Sequence, residues 1–292
     1  MSQPPPLPIV RSIAELRQAV HGWRSQGETV GLVPTMGALH DGHLALVTAA
    51  KQACDRAVAT IFVNPKQFDR KDDLESYPRT EIEDAALLAE RHCDLLFAPS
   101  GQEIYPPGFA TKVSVSVASL TDSLDALHRP GHFDGVTTVV SKLLLQSLPD
   151  KAFFGEKDYQ QLSIVTRMVA DLDIPVEIVP VGTVRQADGL ALASRNKHLT
   201  AAQRDVAPLL FAVMQEIASR LARDPDLPAE PLLVEGRHRL AQGGFAKVDY
   251  LDLRAADDLS ALTHANRPAR VFAAAWLGDT RLIDNLAVEQ PS

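Results

Sequence analysis

The stretch Val33-Pro34-Thr35-Met36-Gly37-Ala38-Leu39-His40-Asp41-Gly42-His43 decides how the rest of this chain is read. Thr29 to Val33 is an apolar, β-rich run that stops at a proline and a glycine, which predicts a buried strand entering a loop. Leu44-Ala45-Leu46-Val47-Thr48-Ala49-Ala50 then has helical composition, and Gly37 and Gly42 allow backbone to approach a ligand closely. His40 and His43 would share one face at the start of that helix, since residues three apart are neighbours there. A helix N-terminus carries free N–H groups and partial positive charge suited to phosphate, so strand, loop and helix together point to a nucleotide site. The same two histidines are compatible with a metal pair, or with a capped helix that carries them incidentally.

Upstream, Ser12-Ile13-Ala14-Glu15 has the form of a capping box, and Ile13, Leu16, Val20 and Trp23 follow at helical spacing up to Gly27. Downstream, Ala57 to Val63 reads as a second strand, followed by Asn64-Pro65-Lys66-Gln67-Phe68 and a charged loop through Tyr77-Pro78-Arg79. Thr80-Glu81-Ile82-Glu83 begins another capped helix, Asp94 to Pro99 reads as a third strand and Lys112 to Val117 as an alternating one. A helix over Val136 to Ser147, a strand over Lys151 to Phe154, a helix over Gln160 to Leu172 and a strand over Val176 to Val179 follow. This alternation predicts an α/β fold, a Rossmann-like and mostly parallel sheet with helices on both faces. Ligands of such sheets bind beyond the carboxyl ends of strands, where Pro34, Asn64 and Gly155 fall.

Near Val184 the texture changes. A glycine-containing loop runs to Thr200, a long helix rich in Ala and Leu reaches about Arg223, and Pro225, Pro228 and Pro231 mark a linker. Val248 to Leu253, Ala269 to Trp276 and Arg281 to Ala287 read as strands of a smaller α+β unit. The expected organisation is a Rossmann-like domain over residues 1–183 and a smaller domain over residues 184–292, in keeping with a length of 292 residues.

Composition narrows the chemistry. Hydrophobic residues make up 46% and charged residues 23%, the balance of an ordinary globular protein, with no apolar run long enough to span a bilayer, so no membrane role is expected. A formal charge of −8 opposes nonspecific attraction to nucleic acid, so an ATP-using enzyme of small molecules is favoured over a tRNA-charging one. Met1 to Pro8 lacks the basic segment, apolar core and cleavage site of a signal peptide, so a proline-rich lead and a cytoplasmic location are expected. Cys54 and Cys93 have no metal-type spacing and are expected as buried free thiols.

Four later segments carry further candidates. Asn64 and Gln67 place two amides, each able to donate and accept, at the tip of a strand, where they serve either a turn or a ligand. In His128-Arg129-Pro130-Gly131-His132-Phe133-Asp134-Gly135 the planar fork of Arg129 suits a carboxylate or phosphate, with a solvated surface arginine as the alternative. His132 reads as a packing or capping residue, outside the site. Phe153-Phe154-Gly155-Glu156-Lys157-Asp158-Tyr159-Gln160-Gln161 runs a strand into a Gly and then a Lys at a helix start, which can present an ammonium to phosphate. The alternative is that Glu156 and Asp158 pair with Lys157 on a solvated face. Asp188 to Asn196 is a loop that can bring Ser194 and Arg195 over a triphosphate, or an ordinary interdomain turn.

These five segments, in this order and at these separations, resemble the pantothenate synthetase family of adenylate-forming nucleotidyltransferases, over nearly the whole chain. The motifs are Pro-Thr-Met-Gly with His-x-Gly-His, Asn-Pro-x-Gln-Phe, Arg-Pro-Gly-His-Phe, Phe-Gly-Glu-Lys-Asp with a following Gln, and a late Ser-Arg-Asn. The resemblance implies ATP-dependent joining of pantoate to β-alanine through pantoyl adenylate, with release of AMP and pyrophosphate. It implies catalytic roles for His40, His43 and Lys157. Met36, Gly37, Gly155, Glu156, Asp158, Val184, Leu192, Ala193, Ser194 and Arg195 would complete the ATP site, with Asp158 facing the ribose. Pro34, Thr35, Met36, Asn64, Gln67, Arg129 and Gln161 would line the pantoate site. The resemblance also implies a homodimer. Mg²⁺ would arrive with the ATP phosphates, with Glu83 and Asp84 as outer ligands or, alternatively, as ordinary acids of a helix first turn. One position departs from the family pattern, because Ala193 stands where the first of two serines is usual.

Overall fold

The protein is described here by a computed structural model covering residues 7–68, 71–106 and 114–289. The described residues divide into two compact units. One is drawn from Met1–Thr121, Arg129–Gly155 and Ile164–Gly182, the other from Asp122–His128, Glu156–Ser163 and Thr183–Ser292.

The first unit holds strands β1 (Ile9–Val10), β2 (Val30–Thr35), β3 (Arg56–Ile61), β4 (Leu95–Phe97), β5 (Lys151–Gly155) and β6 (Glu177–Val181). They form one parallel sheet in the order β1-β4-β3-β2-β5-β6. A parallel sheet covered on both faces reads as a continuous apolar run, and β2 is buried at five of its six positions. On one face Val33, Ala57, Ala59, Leu96 and Phe153 form a core with Leu44, Val47 and Ala50 of helix α2 (Asp41–Ala53), and with Leu88. Leu32 and Val58, of the opposite parity, are equally buried.

The helices in chain order are α1 (Ile13–Arg24), α2 (Asp41–Ala53), α3 (Lys71–Ser76), α4 (Glu81–Glu90), α5 (Gly101–Ile104), α6 (Asp125–His128), α7 (His132–Ser147) and α8 (Tyr159–Asp171). The capping box expected at the start of α1 is present, with the Ser12 side chain accepting from the Glu15 N–H and the Glu15 carboxylate accepting from the Ser12 N–H. Helix α4 begins as expected but not by the expected cap, because the Thr80 hydroxyl turns to Asp84. Of the alternating strand expected over 112–117, the first two positions lie outside the described residues, and Ser114 to Val117 form no strand. The Val115 N–H donates to Thr138 Oγ1 at 3.3 Å and its carbonyl accepts from the Thr137 hydroxyl, so side chains of α7 satisfy this backbone in place of a ladder.

The second unit continues with α9 (Ala201–Val206), α10 (Pro208–Arg223), α11 (Ala229–Gln242) and the strands β7 (Lys247–Ala255), β8 (Ala269–Leu277) and β9 (Thr280–Val288). The three strands form an antiparallel sheet in chain order. The single long helix expected before Arg223 is two, since Pro208 lacks the N–H that would continue the first and fits instead at the start of the second. The expected proline-rich linker contains α11, with Pro231 in its first turn, where backbone N–H groups have no helical partner to lose. Leu210, Val213, Met214, Ile217 and Leu221 of α10 pack with Leu251, Val271, Ala273 and Leu282 from the strands.

Candidate active site

Strand β2 pairs with β3 along its whole length but with β5 only at Gly31–Lys151 and Leu32–Ala152. The strand order reverses at this pair, so β2 and β5 part toward their carboxyl ends at the switch point where α/β sheets take ligands. Pro34 and Thr35 are the last two paired positions of β2, opposite Thr60 and Ile61. The Thr35 hydroxyl donates to the Thr60 carbonyl at 2.6 Å and accepts from the Gly37 N–H at 3.1 Å, holding the loop that follows, in which Met36 is half-buried.

Gly37 and Ala38 both have left-handed backbone, with φ of 83° and 52°. A Cβ on Gly37 would lie 3.1 Å from both Asp84 Oδ2 and Ile61, so glycine fits for space as well as conformation. The Asp84 carboxylate is buried and accepts from the Leu39 N–H at 2.8 Å through Oδ1 and from the Ala38 N–H at 2.9 Å through Oδ2. Asp84 is thus a clamp on the loop, a role that sequence reasoning missed. No local pattern signals it, since the partners are 45 and 46 residues away.

His40 sits outside α2, as its N-cap with extended backbone, and His43 is the third helical residue. Each ring caps the other's neighbourhood. His40 Nδ1 accepts from the Gly42 N–H at 3.2 Å, and His43 Nδ1 accepts from the His40 N–H at 3.4 Å. The rings lie 4.1 Å apart. A backbone N–H only donates, so Nδ1 is the acceptor in both rings and a neutral imidazole carries its proton on Nε2. Of the readings the sequence left open, the structure shows the capped helix, with both rings at its N-terminus. As for a metal, no group of three His, Cys, Asp or Glu placed to hold one occurs among the described residues.

Asn64 is almost fully buried and its amide is fixed by two backbone groups that cannot exchange roles. The Lys66 N–H donates to Oδ1 at 3.3 Å and the Gly135 carbonyl accepts from Nδ2 at 3.0 Å. Nδ2 also donates to Gln67 Oε1 at 3.0 Å, and the Tyr105 hydroxyl donates to Oδ1 at 2.9 Å. Burial pushes the Tyr105 pKa up to about 12, which keeps that donor in place. Through its bond to Asn64, Oε1 of Gln67 is committed as an acceptor. Gly135 is required nearby, since a Cβ there would lie 2.3 Å from the Lys66 carbonyl oxygen.

Arg129 and His132 converge on the same turn. His132 Nδ1 donates to the Gln67 carbonyl at 2.7 Å, and Arg129 reaches His132 Nε2 at 3.1 Å and the Gln67 carbonyl at 3.5 Å. His132 therefore supports the turn that carries Gln67, a part the sequence reading did not give it.

The remaining candidates belong to the second unit, apart from Gly155, which ends β5. Glu156 to Asp158 form a short turn of tight helix ahead of α8, with Lys157 Nζ 3.3 Å from Asp158 Oδ1. Glu156 does not pair with Lys157 but with Arg270, at 3.2 Å. Gln161 follows in the first turn of α8, half-buried, while its neighbour Gln160 is buried and bonds the Asp125 N–H and the Ser123 carbonyl. Val184 and Leu192 face each other across a hairpin-like loop, the Leu192 N–H donating to the Val184 carbonyl at 3.0 Å. Ser194 and Arg195 begin a tight helical turn, Ser194–His198, preceded by Ala193 in extended conformation at the cap position.

The doubly wound sheet, with a histidine-capped helix beyond the strand that flanks its switch point, defines a nucleotide-handling α/β enzyme. The sequence profile of pantoate–β-alanine ligase matches residues 8–287. The chain is 54% identical to the pantothenate synthetase of Roseobacter denitrificans, over 97% of this chain and 98% of that one, and 54% identical to that of Ruegeria pomeroyi over the same shares. Among solved structures it resembles pantothenate synthetase from Thermus thermophilus, with a TM-score of 0.89, 46% identity, and coverage of 98% of this chain and 100% of that one. It also resembles pantoate–β-alanine ligase from Francisella tularensis, complexed with β,γ ATP and β-alanine, with a TM-score of 0.79, 34% identity and coverage of 98% and 99%. The chain belongs to the pantoate–β-alanine ligase family, the pantothenate synthetases.

Proposed function

We propose that this chain condenses pantoate with β-alanine in two half-reactions. A pantoate carboxylate oxygen bonds to the α-phosphorus of ATP and pyrophosphate leaves with the bond it breaks. The β-alanine amine then attacks the acyl carbon of pantoyl adenylate, loses a proton and expels AMP. The first step brings two anions together, so positioning and charge neutralisation carry the catalysis.

The observation that most supports this reading is the pair of His40 and His43 rings, 4.1 Å apart at the start of α2. They would meet the ATP phosphates while Lys157 supplies a permanent charge and Ser194 and Arg195 steady the departing pyrophosphate. Gln67 Nε2 and Gln161 would hold pantoate oxygens, with Arg129 and Asn64 keeping the Gln67 turn in place. Pro34, Thr35, Met36 and Gly37 would border the meeting point of the two substrates. Gly155, Glu156, Val184, Leu192 and Ala193 would frame the nucleotide, and Asp158 its ribose. In this scheme residues 1–183 bind ATP and pantoate and residues 184–292 act as a lid.

Asp84 is spent on the Ala38 and Leu39 amides, so Mg²⁺ would come bound to ATP phosphates, where it shields their charge. We further propose a homodimer working in the cytoplasm; no helix among the described residues is long and apolar enough to cross a membrane. The decisive experiment is pyrophosphate release by the purified protein with ATP and Mg²⁺ but no β-alanine. Release that depends on pantoate is expected, and release indifferent to pantoate, or none, overturns the reading.

A further inference from the structure

Asn285 of β9 is 2% exposed, and every polar atom of its side chain is engaged. Its Nδ2 donates to the Glu156 carbonyl at 2.8 Å and to the Lys157 carbonyl at 3.0 Å. Its Oδ1 accepts from Arg270 Nε at 2.8 Å, and Arg270 also reaches Glu156 Oε2 at 3.2 Å while its guanidinium lies 4.0 Å from the Tyr159 ring centroid. Carbonyls only accept and an Arg N–H only donates, so the amide has one orientation and no isosteric substitute. One side chain thus grips two consecutive peptide groups of the turn that carries Lys157.

The same strand reaches the other loop. The Asn285 N–H donates to Asp284 Oδ1 at 2.8 Å, and the Asp284 carboxylate accepts both arms of Arg185, at 2.6 and 2.9 Å. Arg185 in turn donates to the Gly189 carbonyl at 3.0 Å inside the loop that leads to Ser194 and Arg195. A charge-assisted, bidentate pair in so sheltered a position is a stiff connection.

We propose that Asn285, backed by Arg270 and by the Asp284–Arg185 pair, is the positioning residue that sets where Lys157 stands relative to the Ser194–Arg195 loop, so that the two cations meet one triphosphate together. The inference rests on the phosphate roles given to Lys157 and Arg195 above. Asn285 touches no substrate. It acts through the backbone of Glu156 and Lys157, and a misplacement of about 1 Å at a reacting group costs about a hundredfold in rate.

The test uses the full chain with Asn285→Asp, which sets a carboxylate oxygen against two carbonyls, and Asn285→Ser, which keeps one short donor. Each is assayed for pantoate-dependent pyrophosphate release, and separately for pantothenate formation from supplied pantoyl adenylate and β-alanine. We expect the adenylation kcat to fall by about tenfold or more in the Asp variant and less in the Ser variant. The pantoate KM and the second half-reaction should stay within about twofold. If Asp does not fold, Ser alone decides, on the same split between half-reactions. Unchanged adenylation in a folded variant, or equal loss in both half-reactions, overturns the proposal. A wild-type chain without pantoate-dependent release would instead overturn the function on which it rests.

Discussion

The candidate site residues of the two units are held in place by different means. In the first unit, His40, His43, Asn64 and Gln67 orient one another across two or three residues of chain, by caps and turns, and Asp84, Tyr105, Gly135 and His132 only brace those turns from farther along it. In the second, the Lys157 turn and the Ser194 loop hang from β9, through bonds spanning 99 to 129 residues. A self-capped motif has part of its geometry set locally, whereas a suspended one is only as well placed as the strand that holds it.

The sharpest way to break this comparison is to separate capping from chemistry at His43. His43→Gln retains a side-chain acceptor for the His40 N–H but loses the ring Nε2–H. Adenylation should fall by roughly a hundredfold or more, about 3 kcal/mol, with an unchanged melting midpoint. Near-normal single-turnover adenylation would reduce the histidines to a cap.

Asn64→Asp probes the amide relay. An acceptor facing the Gly135 carbonyl is repelled, and Gln67 is free to turn its carbonyl oxygen outward, so the pantoate KM should rise about tenfold with little change for ATP. A rise confined to ATP would remove Gln67 from the pantoate site.

Acid should bear on the suspended half through Asp249 of β7. Burial works against this carboxylate, but hydrogen bonds from Lys247, Arg281 and Trp276 outweigh it and hold its pKa well below the ordinary range. Arg281 also donates to Asp125 Oδ1 at 2.8 Å, and the Asp125 N–H donates to Gln160, so the network reaches the start of α8. A depressed pKa gives stability that is complete above the unfolded value of about 3.9 and is lost as pH falls through the folded one. The melting midpoint should therefore drop on acidification below about pH 4, and less steeply in Asp249→Asn. Equal slopes in both proteins would show that this network contributes nothing to the acid response.

The smallest effect is expected at Ala193. It occupies the cap position of the Ser194–His198 turn without a side-chain cap, so Ala193→Ser should add up to about 1 kcal/mol of local stability. ATP titration should show a gain below about tenfold, since main-chain donors can serve phosphate there; a larger gain would mean that the hydroxyl belongs to the nucleotide.

The same contrast explains what could be read from the residues alone. Strand and helix alternation, the α1 capping box and the order of the motifs are local patterns, and the parallel sheet and the family followed from them. Even the reciprocal histidine cap is local, because His40 and His43 have the spacing of a capping box with imidazoles in place of Ser and Glu. Asp84, His132 and Asn285 left no such trace. Each acts on backbone groups far along the chain, and a backbone carbonyl or amide has no identity in a sequence. Pro208 and Pro231 misled for a related reason, because what a proline does depends on whether its missing N–H was needed.

The suspension of the Lys157 turn from β9 also bears on how the protein can be made in pieces. A fragment beginning at Thr183 would contain Asn285 and Arg281 without the Glu156–Lys157 carbonyls and the Asp125 carboxylate that satisfy them, leaving buried donors unpaired. During synthesis the Lys157 turn emerges before β9, so it is made before its anchor exists. Splitting the gene for complementation or fusion is therefore better done where no such debt crosses the cut.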